Sequence, residues 1–263
     1  MSVIERLKIR FRAHVAARVN FVENIRCMNL ASRYEIDGGF QRIYFYHIRK
    51  CGGTSLHRMF LGLGGEESRT VHTRLKARLR TRSGNMVFVA HEKRLIQHGH
   101  YYYAYSHRPA HELKLPEKTF TFTCLRDPLR RLVSHYRMIL EYKKLGKQGG
   151  NLDRESKWFD ESFGEFLANV PREHLLNQLY MFSKDYDVDE AYGNVMNCSC
   201  FFLLERFSDG IQLLSSKLGI QLRPEHARST SIDVSIEDKE LDLARERLQP
   251  EIRLYERLAA VAG

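Results

Sequence analysis

The stretch YFYHIRKCGGTSLHRMF at 44–60 carries the first cluster of chemistry-bearing residues. Lys50 is followed by Gly52, Gly53, Thr54 and Ser55, and the cluster lies between a strand-like run and a run with helical spacing. A strand that turns through glycines into a helix start is a cradle for an oxyanion. The first N–H groups of the helix have no partner within it, and the helix dipole favours negative charge there. Glycines let the backbone approach closely, hydroxyls add donors, and a lysine supplies a mobile cation. A Walker A loop sets its lysine after the glycines and directly before Ser or Thr. Here the lysine comes first, so that loop does not fit. A tight strand–helix turn with an outward lysine also accounts for the same residues.

A second cluster lies in FTFTCLRDPLRRLVSHYR, residues 120–137. Arg126 stands at the tip of a strand, and Ser134 lies two turns into the following helix. Arg130 and Arg137 share the Ser134 face by i, i+3 and i, i+4 spacing. An arginine fork and a hydroxyl make a clamp for a second, separate phosphate. The competing reading pairs Arg126 with a carboxylate and turns Ser134 to solvent. For a general base, His107 ends the run YYYAYSH, and strand ends collect sites in open α/β sheets. His91 closes the preceding strand and is the reserve, with His111 and Glu92 behind it, whereas His47 reads as a packed strand histidine. His98-x-His100 is only a pair, so no metal site is expected.

The elements that must position these groups alternate. Residues 42–48, 86–91, 101–107, 118–125 and 198–205 read as strands, being apolar, aromatic and β-branched. Helical spacing follows at 56–63. Asp127 caps, and Pro128 opens, a helix running to Tyr142. Ser162-x-x-Glu165 is a capping box, and further helices are expected around HLLNQLYMF, over SDGIQLLSSKLG, and on both sides of Pro250. KKLGKQGGNLDRES is polar and glycine-bearing and reads as a loop. The pattern predicts an α/β fold, a P-loop-like, mainly parallel sheet with helices on both faces. It forms a single domain over residues 41–263, preceded by an N-terminal helical arm over 1–40.

Lys plus Arg is 42 against 32 for Asp plus Glu, a formal charge of +10 that favours anionic partners. Nucleotides, polyanionic glycans, nucleic acids and acidic membrane surfaces all qualify on charge alone. The basic stretch RTVHTRLKARLRTR (69–82) fits either a surface that steers an anionic saccharide or a solvated face. No stretch approaches 18 apolar residues, so no membrane span is expected, although peripheral association is compatible with the basic start. Five scattered cysteines without a CxxC pair imply a reduced protein, and with no signal-peptide core the expected location is cytoplasmic. Cys51, beside cations and a helix start, is a candidate reactive thiol.

FYHIRKCGGTSL resembles the 5′-phosphosulfate loop of PAPS-dependent sulfotransferases, of the form FxHIPKTGGTSL, and TCLRDPLRRLVSHYR is similar to their 3′-phosphate motif, LRDPxxRxxSxY. PAPS is 3′-phosphoadenosine 5′-phosphosulfate, a donor with an anion at each end. The likeness is greatest to the carbohydrate branch, related to heparan and chondroitin sulfotransferases, and extends loosely over residues 42–258 through FFLLERFSDGIQLL and IRLYERL. The resemblance implies that Lys50, Gly52, Gly53, Thr54 and Ser55 hold the phosphosulfate and that Arg126 and Ser134 hold the 3′-phosphate. It places a Gly-His motif where Ser106-His107 stands, with the histidine as base, and likens HARSTS, with Arg228, Ser229 and Thr230, to a late segment that closes over the nucleotide. Lys50 would meet the charge that grows on the leaving phosphate oxygen. The product is 3′,5′-ADP, and the acceptor is a hydroxyl of a carbohydrate or glycoconjugate. Arg49 replaces the family's proline and Cys51 its threonine. Two rivals remain: a kinase-like phosphotransferase on the same scaffold, which the lysine order opposes, and a basic nucleic-acid-binding module, which leaves both anion motifs unexplained.

Overall fold

The computed structural model describes residues 22–146, 152–159, 162–223 and 234–262. The expected helix before residue 22, and the segment holding Arg228, Ser229 and Thr230, lie outside them. Residues 22–31 are helical (α1). The chain then runs through β1 (Arg42–Tyr46), α2 (Gly53–Gly62), α3 (Ser68–Arg78), β2 (Arg80–Ser83), β3 (Met86–Ala90), α4 (Lys93–His98) and β4 (Tyr103–Ser106). It continues through β5 (Thr119–Leu125), α5 (Pro128–Lys144), α6 (Leu152–Glu155), α7 (Phe163–Asn169), α8 (Arg172–Leu175) and α9 (Asn177–Phe182). The last elements are α10 (Val188–Met196), β6 (Cys200–Leu203), α11 (Phe207–Leu218), α12 (Asp238–Arg247) and α13 (Gln249–Ala259).

The six strands form one sheet in the order β2-β3-β4-β1-β5-β6. Every pairing is parallel except β2 with β3, which is antiparallel. Parallel strands need both faces covered, and the side-chain alternation of β1 shows how this is done. Ile43 and Phe45 join a core with Leu56, Phe60, Val71, Leu75, Ile211 and Leu214 from α2, α3 and α11. Tyr44, one residue out of phase, faces Cys27 of α1 and Ile96 of α4. The described part of the N-terminal arm is therefore docked on the sheet, with Cys27 fully buried. A third core gathers α5, α7, α9, α10 and α13 around Leu132, Phe166, Leu179, Val195 and Leu254.

Strand β2 falls in the arginine-rich stretch, where no apolar alternation announces it. Tertiary pairing makes the strand: its register with β3 sets Thr81 opposite Phe88 and Ser83 opposite Met86. The arginines around it are engaged. Arg74 pairs with Glu66 at 2.8 Å, Arg82 with Glu23 at 3.6 Å, and Arg80 donates to Asn24 at 2.6 Å. Asp127 and Pro128 act as expected: the Asp127 carboxylate accepts from the Arg130 amide at 2.8 Å, and Pro128 opens α5. Among the described residues no helix is long and apolar enough to cross a membrane.

Candidate active site

The chain reverses its order across the sheet at β1, which lies between β4 and β5. Ligands bind at such a switch point, outside the carboxyl ends of the strands. Three strand ends deliver side chains there: β1 leads to His47 and Lys50, β4 to His107, and β5 to Arg126. A cleft of roughly 790 Å³ opens at this place. Its walls include Lys50, Gly52, Gly53, Thr54, Ser55, His107, Arg126 and Ser134. All the sequence-predicted site residues that are described thus share one cavity, within the usual size range of ligand sites.

The loop from Lys50 to Ser55 is built on backbone geometry. Lys50 and Gly52 both adopt left-handed conformations, with φ of 67° and 75°. A lysine in that region costs roughly 1 kcal/mol or more, a local strain of the kind that accumulates at functional sites. Gly53 has a steric reason to be glycine. A Cβ on it would lie 1.8 Å from Nε2 of His47. We expect Gly53→Ala to displace the loop or the histidine and to cost about 1–3 kcal/mol by overpacking. A melting temperature within a degree of the parent's would refute that.

Cations converge on the cleft. The Arg126 guanidinium donates to the backbone carbonyl of Lys50 at 3.2 Å, tying the two predicted anion sites to each other. Among the described residues, no carboxylate forms an ion pair with Arg126 or Lys50, which removes the competing reading of Arg126. Burial lowers the Lys50 pKa to about 8, helped by the charges of Arg49 and Arg126. Arg49 is paired with Glu155, but Lys50 and Arg126 form no ion pair among the described residues, and their charge is what an incoming polyanion would offset. Arg130 and Arg137 also line the cleft, beside Ser134 on one face of α5.

Arg126 is held from behind. Its amide donates to Gln178 Oε1 and its carbonyl accepts from Gln178 Nε2, both at 2.8 Å. Gln178 is fully buried and bonds in turn to Glu251 on α13, at 2.9 Å from its amide and 3.1 Å from its side chain. The sequence gives no sign of this support, because its members are far apart and of ordinary type.

Arg49 and Cys51, the departures from the family's loop, have separate explanations. Arg49 makes a two-pronged ion pair with Glu155 of α6, its Nη2 donating to Oε2 at 2.8 Å and its Nη1 to Oε1. Glu155 also accepts from His135 Nε2 at 3.2 Å. Burial opposes charge on Glu155, but the hydrogen bonds from His135 and Arg49 outweigh it and bring the carboxyl to about 2. His135 itself stays neutral, since burial lowers it to about 3 despite the carboxylate. A proline would restrict this entry to the loop through its ring; here an ion pair to a distant helix anchors it. Glu155 belongs to the stretch read as a polar loop, of which Leu152–Glu155 is instead a short helix, with Glu155 buried. Cys51, a candidate thiol by its sequence neighbours, is wholly buried, and burial pushes its thiol up to about 12. The neighbouring cations do not offset that desolvation, so it is a packing residue rather than a reactive thiol.

His107 projects into the cleft from the end of β4. Its Nδ1 lies 2.7 Å from the His47 carbonyl oxygen, which can only accept, so Nδ1 carries the proton and Nε2 offers a lone pair. Burial lowers its pKa; the hydrogen bond to His47 works the other way, and His91 and Arg49 lower it further. The ring remains accessible from the cleft, which moderates the desolvation. A neutral imidazole with its free nitrogen exposed is the state a general base requires. His91, the reserve candidate, stands 5.3 Å from His107 between ring centroids and in a left-handed backbone conformation.

The later block supplies a part of the site that the sequence reading did not assign. Leu204 and Phe207 wall the cleft beside Gly52. Among the described residues no group of three or more His, Cys, Asp or Glu side chains is placed to hold a metal ion.

The model of the sulfotransferase family matches residues 36–221. This chain belongs to the sulfotransferase family. The match spans the loop from Lys50 to Ser55, the three histidine-bearing strand ends, the Arg126 motif and the Leu204–Phe207 wall. No curated protein matches the chain. Membership in the sulfotransferase family implies transfer of a sulfuryl group to an acceptor, and with it a transferase rather than the nucleic-acid-binding module or the kinase-like rival.

Proposed function

We propose that this sulfotransferase uses PAPS and transfers its sulfuryl group to a hydroxyl of a carbohydrate or glycoconjugate. The observation that carries the donor reading is the 3.2 Å bond between Arg126 and the Lys50 carbonyl within one cleft. Two cation-bearing motifs, 76 positions apart in sequence, border one cavity, as a ligand with an anion at each end requires. The loop of Lys50, Gly52, Gly53, Thr54 and Ser55 would hold the phosphosulfate. Arg126 and Ser134, with Arg130 beside them, would hold the 3′-phosphate, and Phe207 offers a flat face for the purine. Arg228, Ser229 and Thr230 extend the same proposal by resemblance alone.

The chemistry asked of the chain is positioning and charge stabilisation, as in phosphoryl transfer. His107 takes the acceptor's proton on Nε2. Lys50 donates to the oxygen on which charge develops as the sulfur–oxygen bond of the donor breaks. The carbohydrate acceptor rests on the resemblance of the sequence motifs; Lys76, near enough to His91 to lower its pKa after burial, adds one cation to an approach on the histidine side, whereas Arg108 is paired there with Glu112 at 3.2 Å. An acceptor bearing carboxylate or sulfate groups suits that approach.

Thermal shift tests the donor. 3′,5′-ADP should stabilise the protein more than 5′-AMP does, because only the former reaches Arg126. Arg126→Ala should weaken 3′,5′-ADP roughly 10- to 100-fold, the value of a charge-assisted fork, and weaken 5′-AMP less, by the lost bond to the Lys50 carbonyl alone. Equal responses to the two nucleotides in the parent protein would remove the 3′-phosphate assignment.

A further inference from the structure

His47, read from sequence as a packed strand histidine, borders the cleft between the donor loop and His107. Its ring centroid lies 4.2 Å from that of His107. On its other side runs a buried chain of hydrogen bonds. His47 Nδ1 is 3.0 Å from His57 Nε2, and His57 Nδ1 is 2.8 Å from the hydroxyl of Tyr103. His57 is 2% exposed and Tyr103 is fully buried.

The order of protons along this chain follows from elimination. Burial, with the neighbouring imidazoles, lowers the pKa of both histidines well below the ordinary value, so each carries one N–H. Burial likewise raises Tyr103, which keeps its proton. Among the described residues that hydroxyl has no partner except His57. If His57 donated to Tyr103, a buried O–H would be left without an acceptor, at a cost of about 1–3 kcal/mol. The chain therefore runs outward from the core. Tyr103 donates to His57 Nδ1, His57 Nε2 donates to His47 Nδ1, and the one proton of His47 sits on Nε2. That nitrogen has no hydrogen-bond partner among the described residues and lies against Gly53 of the donor loop.

We propose that His47 is a catalytic hydrogen-bond donor, held by Tyr103 and His57 as the Nε2–H tautomer and aimed at a sulfuryl oxygen of the bound donor. The inference rests on the PAPS reading above. It makes the two histidines of the cleft wall complementary: His107 presents a lone pair and His47, beside it, a proton. In the transfer, the acceptor oxygen bonds to sulfur while its proton passes to His107 Nε2. The sulfur–oxygen bond to the 5′-phosphate breaks, and its electron pair stays on the phosphate oxygen that Lys50 meets. His47 keeps its proton throughout and fixes the sulfuryl group for in-line attack. Tyr103 and His57 are positioning residues.

Nitrogen NMR of the labelled-histidine protein at neutral pH reads the tautomers directly. His47, assigned by loss of its signals in His47→Phe, should show a protonated Nε2 and bare Nδ1, and His107 the reverse. The opposite tautomer at His47 would overturn the proposal. Tyr103→Phe should turn the His47 signal into a mixture of tautomers; an unchanged pure Nε2–H form would remove Tyr103 and His57 from their role. Calorimetric titration gives the functional readout. His47→Phe should weaken PAPS roughly tenfold, the loss of one hydrogen bond to a charged group, and change 3′,5′-ADP less than twofold. Should Phe unsettle the loop, weakening of 3′,5′-ADP would reveal it, and His47→Gln, which carries its own N–H, should recover much of the PAPS affinity. Equal loss for both ligands in both variants would sink the inference. A parent protein that binds neither ligand would instead sink the donor reading itself.

Discussion

Glu251→Ala should cost this sulfotransferase about 3–5 kcal/mol of stability, with a fall in melting temperature of roughly 10 °C. Glu251 and Arg131 are both fully buried and lie 3.1 Å apart. The carboxylate accepts four hydrogen bonds, from Arg131 Nε, from the amides of Gln178 and Leu179, and from the Gln178 side chain. Removing it leaves a guanidinium with a full charge in a dry interior, whose other partners are the carbonyls of His174 and Leu175. That uncompensated charge, rather than the lost attraction, sets the magnitude. Chemical denaturation measures it, and a loss below about 1 kcal/mol would refute the account. The double variant Arg131→Met with Glu251→Leu should recover only part of the loss: it removes the unpaired guanidinium but leaves the buried amides of Gln178 and Leu179 without an acceptor, at about 1–3 kcal/mol each. Recovery of stability should not restore nucleotide binding in full. Gln178 would lose its acceptor on α13, and Gln178 holds both backbone polar groups of Arg126.

This linkage shows what the sequence could and could not disclose. The two motifs that line the cleft are legible because each is local: Lys50 with its glycines occupies one turn, and Arg126 with Ser134 one strand end and two helical turns. The parallel sheet is legible for a related reason. Strand runs such as TFTFTCL alternate with helices whose caps, Asp127 and Ser162 among them, are marked by residue type. What escaped is whatever depends on contacts between distant segments. Arg49 and Glu155 are separated by 106 positions and Gln178 and Glu251 by 73, and no residue type signals such a pairing. Strand β2, with its charged sequence, exists because β3 offers it an edge. Cys51 shows the converse: its sequence neighbours are cations, but the thiol is wholly buried, and desolvation outweighs charge. The partners of His47, His57 and Tyr103, are hidden from the sequence for the same reason, being brought to it by α2 and β4.

His107→Ala should reduce sulfuryl transfer by about 10²–10⁴-fold, the usual contribution of a positioned general base, while 3′,5′-ADP binds with unchanged affinity. Transfer of labelled sulfuryl from PAPS to glycan acceptors measures the first, and calorimetry the second. Turnover near that of the parent would move the base to His91. The pH profile of kcat/KM sharpens the test, since it reports groups in the free enzyme. A base acts when unprotonated, so activity is lost as pH falls through its pKa. Burial in the cleft lowers that of His107, and the acid limb should therefore lie below the ordinary imidazole value of about 6.5. Lys50 must be protonated to donate, and its pKa of about 8 sets the alkaline limb. The plateau between the two limbs covers neutral pH. Saturation with PAPS should carry the alkaline limb upward in kcat, because the donor's anions beside Lys50 favour its charged form. His107→Ala should erase the acid limb and leave the alkaline one in place, an asymmetry that damage to the fold would not produce.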